Sequence, residues 1–149
     1  MPVPEFIVRP VADAADWDLA RAIREEVFIG EQECPPAEEW DEFDEFSRHF
    51  LGWIGDLPVA TARWRTSFTE GRSVAKLERF AVLRAYRGHG YGRQLVAHLI
   101  DDARQAGFQT CYIHAQVHLE DFYRTMGFNT ISSAFVEAGI PHVAMLRKG

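Results

Sequence analysis

Three closely spaced glycines form the feature of this sequence best suited to chemistry, in the segment Arg87-Gly88-His89-Gly90-Tyr91-Gly92. The segment follows an apolar stretch typical of a strand and precedes residues with helical spacing. Glycines at such a junction free successive backbone N–H groups to point at an anion beside the positive end of the helix dipole. The segment matches neither the P-loop nor the dinucleotide-binding pattern. We therefore expect a pyrophosphate site of another kind, with a simple tight turn as the alternative.

Carboxylates and imidazoles form a second group of candidate residues. Residues 31–45 contain eight acidic side chains and no basic one. Their spacing does not fit a calcium loop. The segment is either a solvated loop or the border of a site that attracts a cationic amine, through Glu31, Asp41 or Asp44. His114 is a candidate proton acceptor because imidazole titrates near neutral pH, with a structural histidine as the alternative.

The two cysteines are not expected to react. Cys34 and Cys111 have neither the C-x-x-C pattern nor the Cys/His spacing of a zinc site. Cys111 lies in a predicted strand, and the carboxylates around Cys34 would raise the pKa of its thiol. We expect two free thiols, no covalent enzyme intermediate and no metal.

The apolar spacing predicts the elements that position these residues. The predicted strands are 6–11, 49–54, 58–65, 74–82, 110–115, 130–135 and 142–147, and the predicted helices are 17–28, 93–106 and 119–126. Asp16 is the expected N-cap of the first helix. Hairpins mixed with strand–helix crossovers indicate an α/β (α+β) class, a mixed sheet of six to seven strands with helices on both faces, in a single domain over residues 1–149.

Composition excludes several classes of partner. The chain has 149 residues and a net charge of −6, the wrong sign for binding nucleic acid. No apolar run reaches the roughly 20 residues needed to cross a bilayer, and no signal peptide is recognised, so we expect a cytoplasmic protein without a membrane partner. The charge is uneven, with a net −10 in residues 1–50 and +4 in residues 51–149.

Several segments together resemble one family. The glycine turn fits the pattern Arg/Gln-x-x-Gly-x-Gly/Ala, E-R-F-A-V precedes it at 78–82, and residues 122–128 fit F-Y-x-x-x-G-F. In these motifs the chain resembles the GNAT superfamily of acyl-CoA N-acetyltransferases. Residues 27–32, 114–118 and 135–142 are similar to the ElaA and YjcF-like group within it. The resemblance covers nearly the whole chain and implies the GNAT fold.

The resemblance implies acetyl-CoA as the cosubstrate. Backbone amides of residues 87–93 would hold its pyrophosphate, and residues 80–82 would pair with its pantetheine arm through backbone groups. The implied cofactor-binding residues are Phe80, Ala81, Val82, Arg87, Gly88, His89, Gly90, Tyr91, Gly92 and Arg93. His89 departs from the Lys or Arg common in the family, so we expect slightly weaker phosphate binding. The alternative for each arginine is a solvated side chain.

The resemblance also implies direct acetyl transfer to a primary amine in a ternary complex. Tyr123 matches the family tyrosine that donates to the thiolate, with a core aromatic residue as the alternative. Glu78 is a candidate base, expected on the strand face that carries Phe80 and Val82, with an ion pair to Arg63 or Arg65 as the alternative. The candidate acceptor-binding residues are His49, Asp44, His114 and Gln116.

Three matters stay open at the level of sequence. The first is whether the chain is an enzyme or a catalytically inactive CoA-binding or regulatory module of the same fold. The second is the acceptor, a small-molecule amine or a protein amine. The third is the oligomeric state, since homodimers are common in the family.

Overall fold

In the computed structural model, which describes residues 4–149, eight strands form one mixed sheet. The strands are β1 (Phe6–Pro10), β2 (Arg48–Ile54), β3 (Leu57–Thr69), β4 (Arg72–Val82), β5 (Thr110–Gln116), β6 (Asn129–Thr130), β7 (Phe135–Glu137) and β8 (Ile140–Lys148). Their order is β1-β2-β3-β4-β5-β8-β6, and β7 also pairs with β8. The pair β4 and β5 is parallel, and the other pairs are antiparallel.

Four α-helices and several shorter turns connect the strands. The α-helices are α1 (Ala14–Arg24), α2 (Pro36–Glu39), α3 (Tyr91–Gln105) and α4 (Glu120–Arg124). A π-helix, Glu25–Glu31, continues α1, and 3-10 turns lie at Glu42–Phe46, Arg84–Tyr86 and Val117–Leu119. The predicted helix 17–28 is therefore two elements, and the π-helix contacts β4.

The N-cap expected at Asp16 is wrong. Asp13 caps α1, because its carboxylate accepts a hydrogen bond of 2.8 Å from the backbone N–H of Asp16. The Asp16 carboxylate accepts from the backbone N–H of Ala12 at 3.0 Å instead. These two hydrogen bonds stabilise the backbone on both sides of the helix start. The helix therefore begins at Ala14, before residue 17, which the apolar pattern indicates.

Apolar clusters on both faces of the sheet confirm the predicted layers. On one face, Leu95 and Leu99 of α3 pack with Phe50 and Leu77. On the other face, Ala20 and Ile23 of α1 pack with Leu51 and Ala81.

The last predicted hairpin lies where it was expected, but its first strand is interrupted. The predicted strand 130–135 is split into β6 and β7, which share one edge of β8. Between them the Ser132 hydroxyl accepts from the backbone N–H of Ala144 at 2.9 Å. A side chain thus takes the place of a backbone acceptor there, and the sheet has eight strands rather than six or seven.

A β-bulge interrupts β4 near its end. Arg79 has φ +59, an uncommon conformation for a residue with a side chain. Glu78 pairs with Arg63, whereas Ala81 pairs with Thr61, so two residues of β4 lie opposite one residue of β3. Because side chains alternate along a strand, the extra residue reverses the face from which the following side chains project.

Candidate active site

A cavity opens where β4 and β5 separate. In the described part of the chain the two strands pair only at Ala75 with Cys111 and at Lys76 with Tyr112. Beyond these pairs the end of β4 has a backbone edge without a strand beside it. The strand-end cavity, lined by residues 80–82, the glycine turn and the start of α3, has a volume of about 540 Å³. That volume is typical of a small-molecule site.

The glycine turn forms one wall of the strand-end cavity. Gly88 has φ +86 and Gly90 has φ +81, in the left-handed region that favours glycine. A Cβ atom at Gly88, Gly90 or Gly92 would meet nothing within 4 Å, so the space before this backbone is open. Gly90 offers no side-chain cap to α3, a helix of 15 residues. The first N–H groups of α3 are therefore available to an anion.

The structure brings nine of the ten predicted cofactor-binding residues to the wall of the strand-end cavity. These residues are Phe80, Ala81, Val82, Arg87, Gly88, Gly90, Tyr91, Gly92 and Arg93. His89 is not among the lining residues, and its ring lies 5.5 Å from the Tyr91 ring.

The two arginines of the turn are held by protein groups. Arg87 donates to the Glu31 carboxylate at 2.6 and 2.9 Å and, through Nε, to the Val82 carbonyl at 2.8 Å. Arg93 donates to the Thr125 hydroxyl at 2.7 Å. Hydrogen bonding and charge from Arg87 lower the pKa of the Glu31 carboxyl. Backbone amides, more than free guanidinium groups, therefore face the cavity.

The backbone of Val82 faces away from β3. The Leu83 N–H donates to the Val59 carbonyl at 2.9 Å. Ala60 and Val82 are consequently a non-hydrogen-bonded pair, whose N–H and C=O groups point away from one another. Because Val82 lines the strand-end cavity, its N–H is directed toward that cavity.

A second cavity meets the first at Tyr123. The loop-side cavity, of about 450 Å³, lies between the acidic segment, the middle of β4 and the end of β5. Six residues line both cavities: Phe28, Gln32, Phe80, Gln116, Leu119 and Tyr123. Tyr123 is only 7% exposed, and no described residue hydrogen-bonds its hydroxyl. Burial raises the pKa of Tyr123, so the phenol is protonated at neutral pH.

An ion network organises the acidic segment. Arg63, 0% exposed, bonds Asp41 at 2.9 Å, Asp44 at 2.6 Å and Glu78 at 3.1 Å. Arg24, also buried, bonds Glu39 at 2.7 Å. The solvated-loop interpretation therefore holds for only part of the segment. Glu39, Asp41 and Asp44 fold inward onto arginines of α1 and β3, whereas the exposed acidic residues are Glu33, Glu38, Glu42 and Glu45.

The network also determines the protonation of its carboxyls. Burial raises the pKa of Asp41 and Asp44, but hydrogen bonds and charge from Arg63 and Arg24 outweigh it and leave both pKa values lowered. Burial lowers the pKa of Arg63, but the hydrogen bond to Asp41 and the charges of Glu78, Asp41 and Asp44 outweigh it and leave that pKa raised. These groups are charged at neutral pH and neutralise one another.

Two predicted acceptor-binding residues lie outside both cavity walls. The Asp44 carboxylate is bonded by Arg24 and Arg63. The His49 imidazole bonds the Asp44 backbone carbonyl at 2.8 Å and packs edge-on against Trp17. Burial lowers the pKa of His49. Their contacts tie the acidic segment to β2.

The predicted strand face of Glu78 is wrong. The bulge places Glu78 on the α1 face together with Ala81, whereas Phe80 and Val82 pack toward α3. The Glu78 side chain reaches the loop-side cavity.

The predicted ion-pair alternative for Glu78 is confirmed. Its Oε1 accepts from Arg65 at 2.7 Å and from Arg63 at 3.1 Å, and its Oε2 lies 3.4 Å from the Lys76 ammonium. Burial raises the pKa of Glu78, but charge from Arg63 and Lys76 and the Arg65 hydrogen bond outweigh it and leave that pKa lowered.

His114 lies on the wall of the loop-side cavity in a chain of hydrogen bonds. Its Nδ1 is 3.1 Å from the Glu137 carboxylate, and its Nε2 is 2.8 Å from the Tyr112 hydroxyl. The His114 hydrogen bond lowers the pKa of Glu137, against burial. Because an ionised carboxylate only accepts, Nδ1 is the donor to Glu137, and in the tautomer protonated at Nδ1 alone the Nε2 atom accepts from Tyr112.

Sequence reasoning missed several wall residues of the loop-side cavity. Arg65, Lys76 and Glu137 were not assigned to the acceptor site. Phe43 was also missed, although Arg65 lies 3.8 Å above its ring centre. The alternation of Arg63, Arg65, Lys76 and Glu78 on neighbouring strands was the available signal, because paired opposite charges on one strand face indicate a network.

Both cysteines are buried and free, as predicted. Burial raises the pKa of Cys111 to about 11 and also raises the pKa of Cys34. Within residues 4–149, no three His, Cys, Asp or Glu side chains are grouped so as to hold a metal ion. Among the same residues, each helix is too short or too polar to cross a membrane.

Comparison by sequence places the chain beside acetyltransferases. The profile of the family described as an acetyltransferase (GNAT) domain matches residues 36–148. YjcF of Bacillus subtilis, described as an uncharacterized N-acetyltransferase, is 36% identical over 126 residues, covering 84% of this chain and 87% of YjcF. ElaA of Escherichia coli is 35% identical over 124 residues, covering 82% of this chain and 80% of ElaA.

Comparison by structure agrees. The crystal structure of Escherichia coli ElaA superimposes with a TM-score of 0.82 and 27% identity over 97% of this chain and 100% of ElaA. A Bacillus subtilis acetyltransferase crystallised in complex with CoA has a TM-score of 0.71 and 17% identity over 97% of this chain and 99% of its own, and shares the fold. The predicted GNAT fold is confirmed.

Proposed function

The chain belongs to the GNAT acetyltransferase family, and from that premise we propose that it transfers the acetyl group of acetyl-CoA directly to a primary amine bound in the same complex. The observation that carries the proposal is the meeting of two cavities at Tyr123. One cavity is lined largely by backbone groups and the other by charged side chains. A thioester held in the first would face an amine held in the second.

The strand-end cavity fits the chemistry of acetyl-CoA. The open amides of Gly88 and Gly90 and the uncapped start of α3 suit a pyrophosphate. The free backbone edge of residues 80–82 suits the two amides of a pantetheine arm. Acetyl-CoA, when bound there, supplies the activated acyl group. The Val82 N–H is the donor we assign to the thioester carbonyl.

We assign to Tyr123 the donor to the departing sulfur. Its raised pKa keeps the proton on oxygen at neutral pH, so the hydroxyl remains a donor. The same shift makes complete proton transfer to a thiolate, whose ordinary pKa is about 8.5, uphill. Tyr123 therefore acts by hydrogen bonding to negative charge as it develops on sulfur, and CoA departs as a thiolate that takes its proton from solvent.

His114 is favoured over Glu78 as the group that accepts the proton of the amine. The role of Glu78 stays a prediction, and the three cations on its carboxylate make it a weak base. Glu137 orients the His114 ring and leaves the Nε2 lone pair on the side of Tyr112. An amine that displaces the Tyr112 hydroxyl would meet that lone pair.

The alternative is a CoA-binding module without catalysis. No observation on the chain favours it, because a tyrosine and a histidine with a carboxylate partner lie on the walls around the cavity junction. A protein acceptor and a homodimer stay predictions. The expected attraction of cationic amines by the acidic segment has weak support, since buried arginines neutralise most of the charge that it directs inward.

The test is a search for acetyl transfer with isotopically labelled acetyl-CoA and a panel of primary amines. Mass spectrometry follows the label in the amines, in free acetate and on the intact protein. We expect label on an amine, and none on the protein, since both thiols are buried with raised pKa values. Acetyl-CoA binding without label transfer to any amine or peptide would support the module, and label on the protein would overturn direct transfer.

A further inference from the structure

The loop-side cavity contains two cations whose hydrogen-bonding capacity is not used. Arg65 bonds Glu78 through Nε alone, and no described residue accepts from its Nη1 or Nη2. Among the described residues, two side-chain nitrogens are both enclosed and without a partner, Nε of Arg63 and Nε of Arg79. The terminal nitrogens of Arg65 are not among them. The two terminal nitrogens of Arg65 are therefore accessible from the cavity that this residue lines.

Lys76 lies next to Arg65 in the sheet. It is 9% exposed, pairs with Arg65 in the register of β3 and β4, and lines the same cavity. Its ammonium has one charged contact, Glu78 at 3.4 Å, and lies 5.8 Å from the Tyr112 ring centre. An ammonium has three donors, so most of its capacity is also free.

The ion-pair network beside these two residues joins more cations than carboxylates, while Glu38 and Glu137 line the cavity outside that network. Five cations are joined by ion pairs to four carboxylates: Arg24, Arg63, Arg65, Lys76 and Arg79 with Glu39, Asp41, Asp44 and Glu78. The surplus is presented where Arg65 and Lys76 share the single Glu78. Phe43 packs 3.8 Å from the Arg65 guanidinium and holds its plane.

Another wall of the cavity is anionic. Glu137 accepts from His114 and lies 3.9 Å from the His142 imidazole. The cavity wall thus carries both cationic and anionic side chains, and a ligand that suits both carries charges of opposite sign.

We infer that the acceptor amine carries a carboxylate, which the free Arg65 guanidinium nitrogens bind in a fork with help from Lys76. Two parallel N–H groups match the two oxygens of a carboxylate. The inference rests on the proposed function and names its substrate class: amino carboxylates, in preference to polyamines, arylamines and uncharged alkylamines. The amine end of such a molecule lies toward Tyr123 and His114.

The test compares matched acceptors on the wild-type protein. The series contains amino carboxylates of two to six carbons, their primary amides, diamines of the same lengths and phosphoethanolamine. We expect kcat/KM for one or more amino carboxylates to exceed that of the matching amide and diamine by about tenfold or more. Preference for the amides, the diamines or phosphoethanolamine would overturn the inference, while transfer to any of them leaves the proposed function standing.

Variants locate the effect. Arg65→Gln is expected to raise KM for the preferred carboxylate about tenfold and to leave KM for its amide unchanged. Lys76→Met is expected to act in the same direction, and Lys76→Arg to restore most of the loss. The matched control is Arg72→Gln, an exposed arginine on β4. Equal changes in KM for the carboxylate and the amide would show that Arg65 has only a structural role.

A binding measurement separates failure of the inference from failure of the function. Calorimetry with CoA present follows binding of the carboxylate and its amide to wild-type and Arg65→Gln protein, without turnover. Carboxylate binding that Arg65→Gln weakens about tenfold supports the subsite even if no amine is acetylated. Equal binding of carboxylate and amide to both proteins overturns it.

Discussion

The walls of the two cavities are formed by different chemical groups. The strand-end cavity presents backbone amides of a glycine turn and an unpaired strand edge. The loop-side cavity presents side chains held by a network of ion pairs. We propose that this backbone site binds the groups common to every CoA thioester, and such a site needs few particular side chains. A side-chain site depends on each of its residues, which suits the selection of one acceptor among many.

This difference predicts that mutations in the two cavities have unequal effects. We expect the largest loss of stability from a mutation in the ion network. Arg63→Met leaves Asp41, Asp44 and Glu78 in a buried setting without their shared partner. We expect a loss of about 3–5 kcal/mol in the free energy of unfolding, because the carboxylates keep their desolvation cost. Urea unfolding measures it. Arg104→Met, which removes a surface pair with Asp101, is the control and is expected to cost less than about 1 kcal/mol.

Acid is expected to weaken the same network. The lowered pKa values of Asp41, Asp44 and Glu78 stabilise the fold above the carboxyl pKa of the unfolded chain, about 4, and that stability is lost as pH falls below it. Glu39, whose pKa burial raises, acts in the opposite direction, as one carboxyl against three. Urea unfolding between pH 7 and pH 3 measures the slope.

A variant identifies the source of that slope. Asp41→Asn should flatten the loss of stability in acid, while Asp56→Asn, at an exposed carboxylate in the turn between β2 and β3, should leave it unchanged. A free energy of unfolding that stays constant from pH 6 to pH 3 would show that the network contributes nothing.

The backbone site is expected to respond to a change of conformation. Gly90→Ala forces a side chain into a left-handed position with φ +81, at a cost of about 1–2 kcal/mol, and disturbs the amides to which we assign the pyrophosphate. We expect the Kd for CoA to rise about tenfold. Gly71→Ala, at φ +74 in the turn between β3 and β4, should lower stability equally without changing the Kd for CoA.

The smallest effect is expected from side chains at the backbone site. Arg93→Met removes a charge that already donates to Thr125. If backbone amides hold the phosphates, the Kd for CoA should rise less than about fivefold, or 1 kcal/mol. A rise of a hundredfold in a calorimetric titration would make the strand-end cavity a side-chain site like its neighbour and remove the contrast.

The contrast also explains what the sequence could predict. The glycine turn is a local pattern, so the order of strand, glycine turn and helix around residues 87–93 was predicted correctly. The ion network joins residues far apart in the chain, such as Arg63 and Asp41, and no local spacing reports such a pair. The bulge at Arg79 contains no glycine that would indicate it in the sequence. The strand face on which Glu78 lies was therefore predicted wrongly. The residues that line the loop-side cavity are determined by side-chain pairing across the sheet and not by the periodicity of the sequence.

The junction at Tyr123 is where the two cavities must act together, and Tyr123→Phe tests it most directly. The substitution removes one hydroxyl that no described residue bonds, so folding and the Kd for acetyl-CoA should be retained. The measurement is the single-turnover rate of acetyl transfer at saturating acetyl-CoA and acceptor amine. We predict a fall of about a hundredfold or more. A rate within twofold of the wild type, with acetyl-CoA bound, would contradict the assignment of Tyr123 as the donor to sulfur.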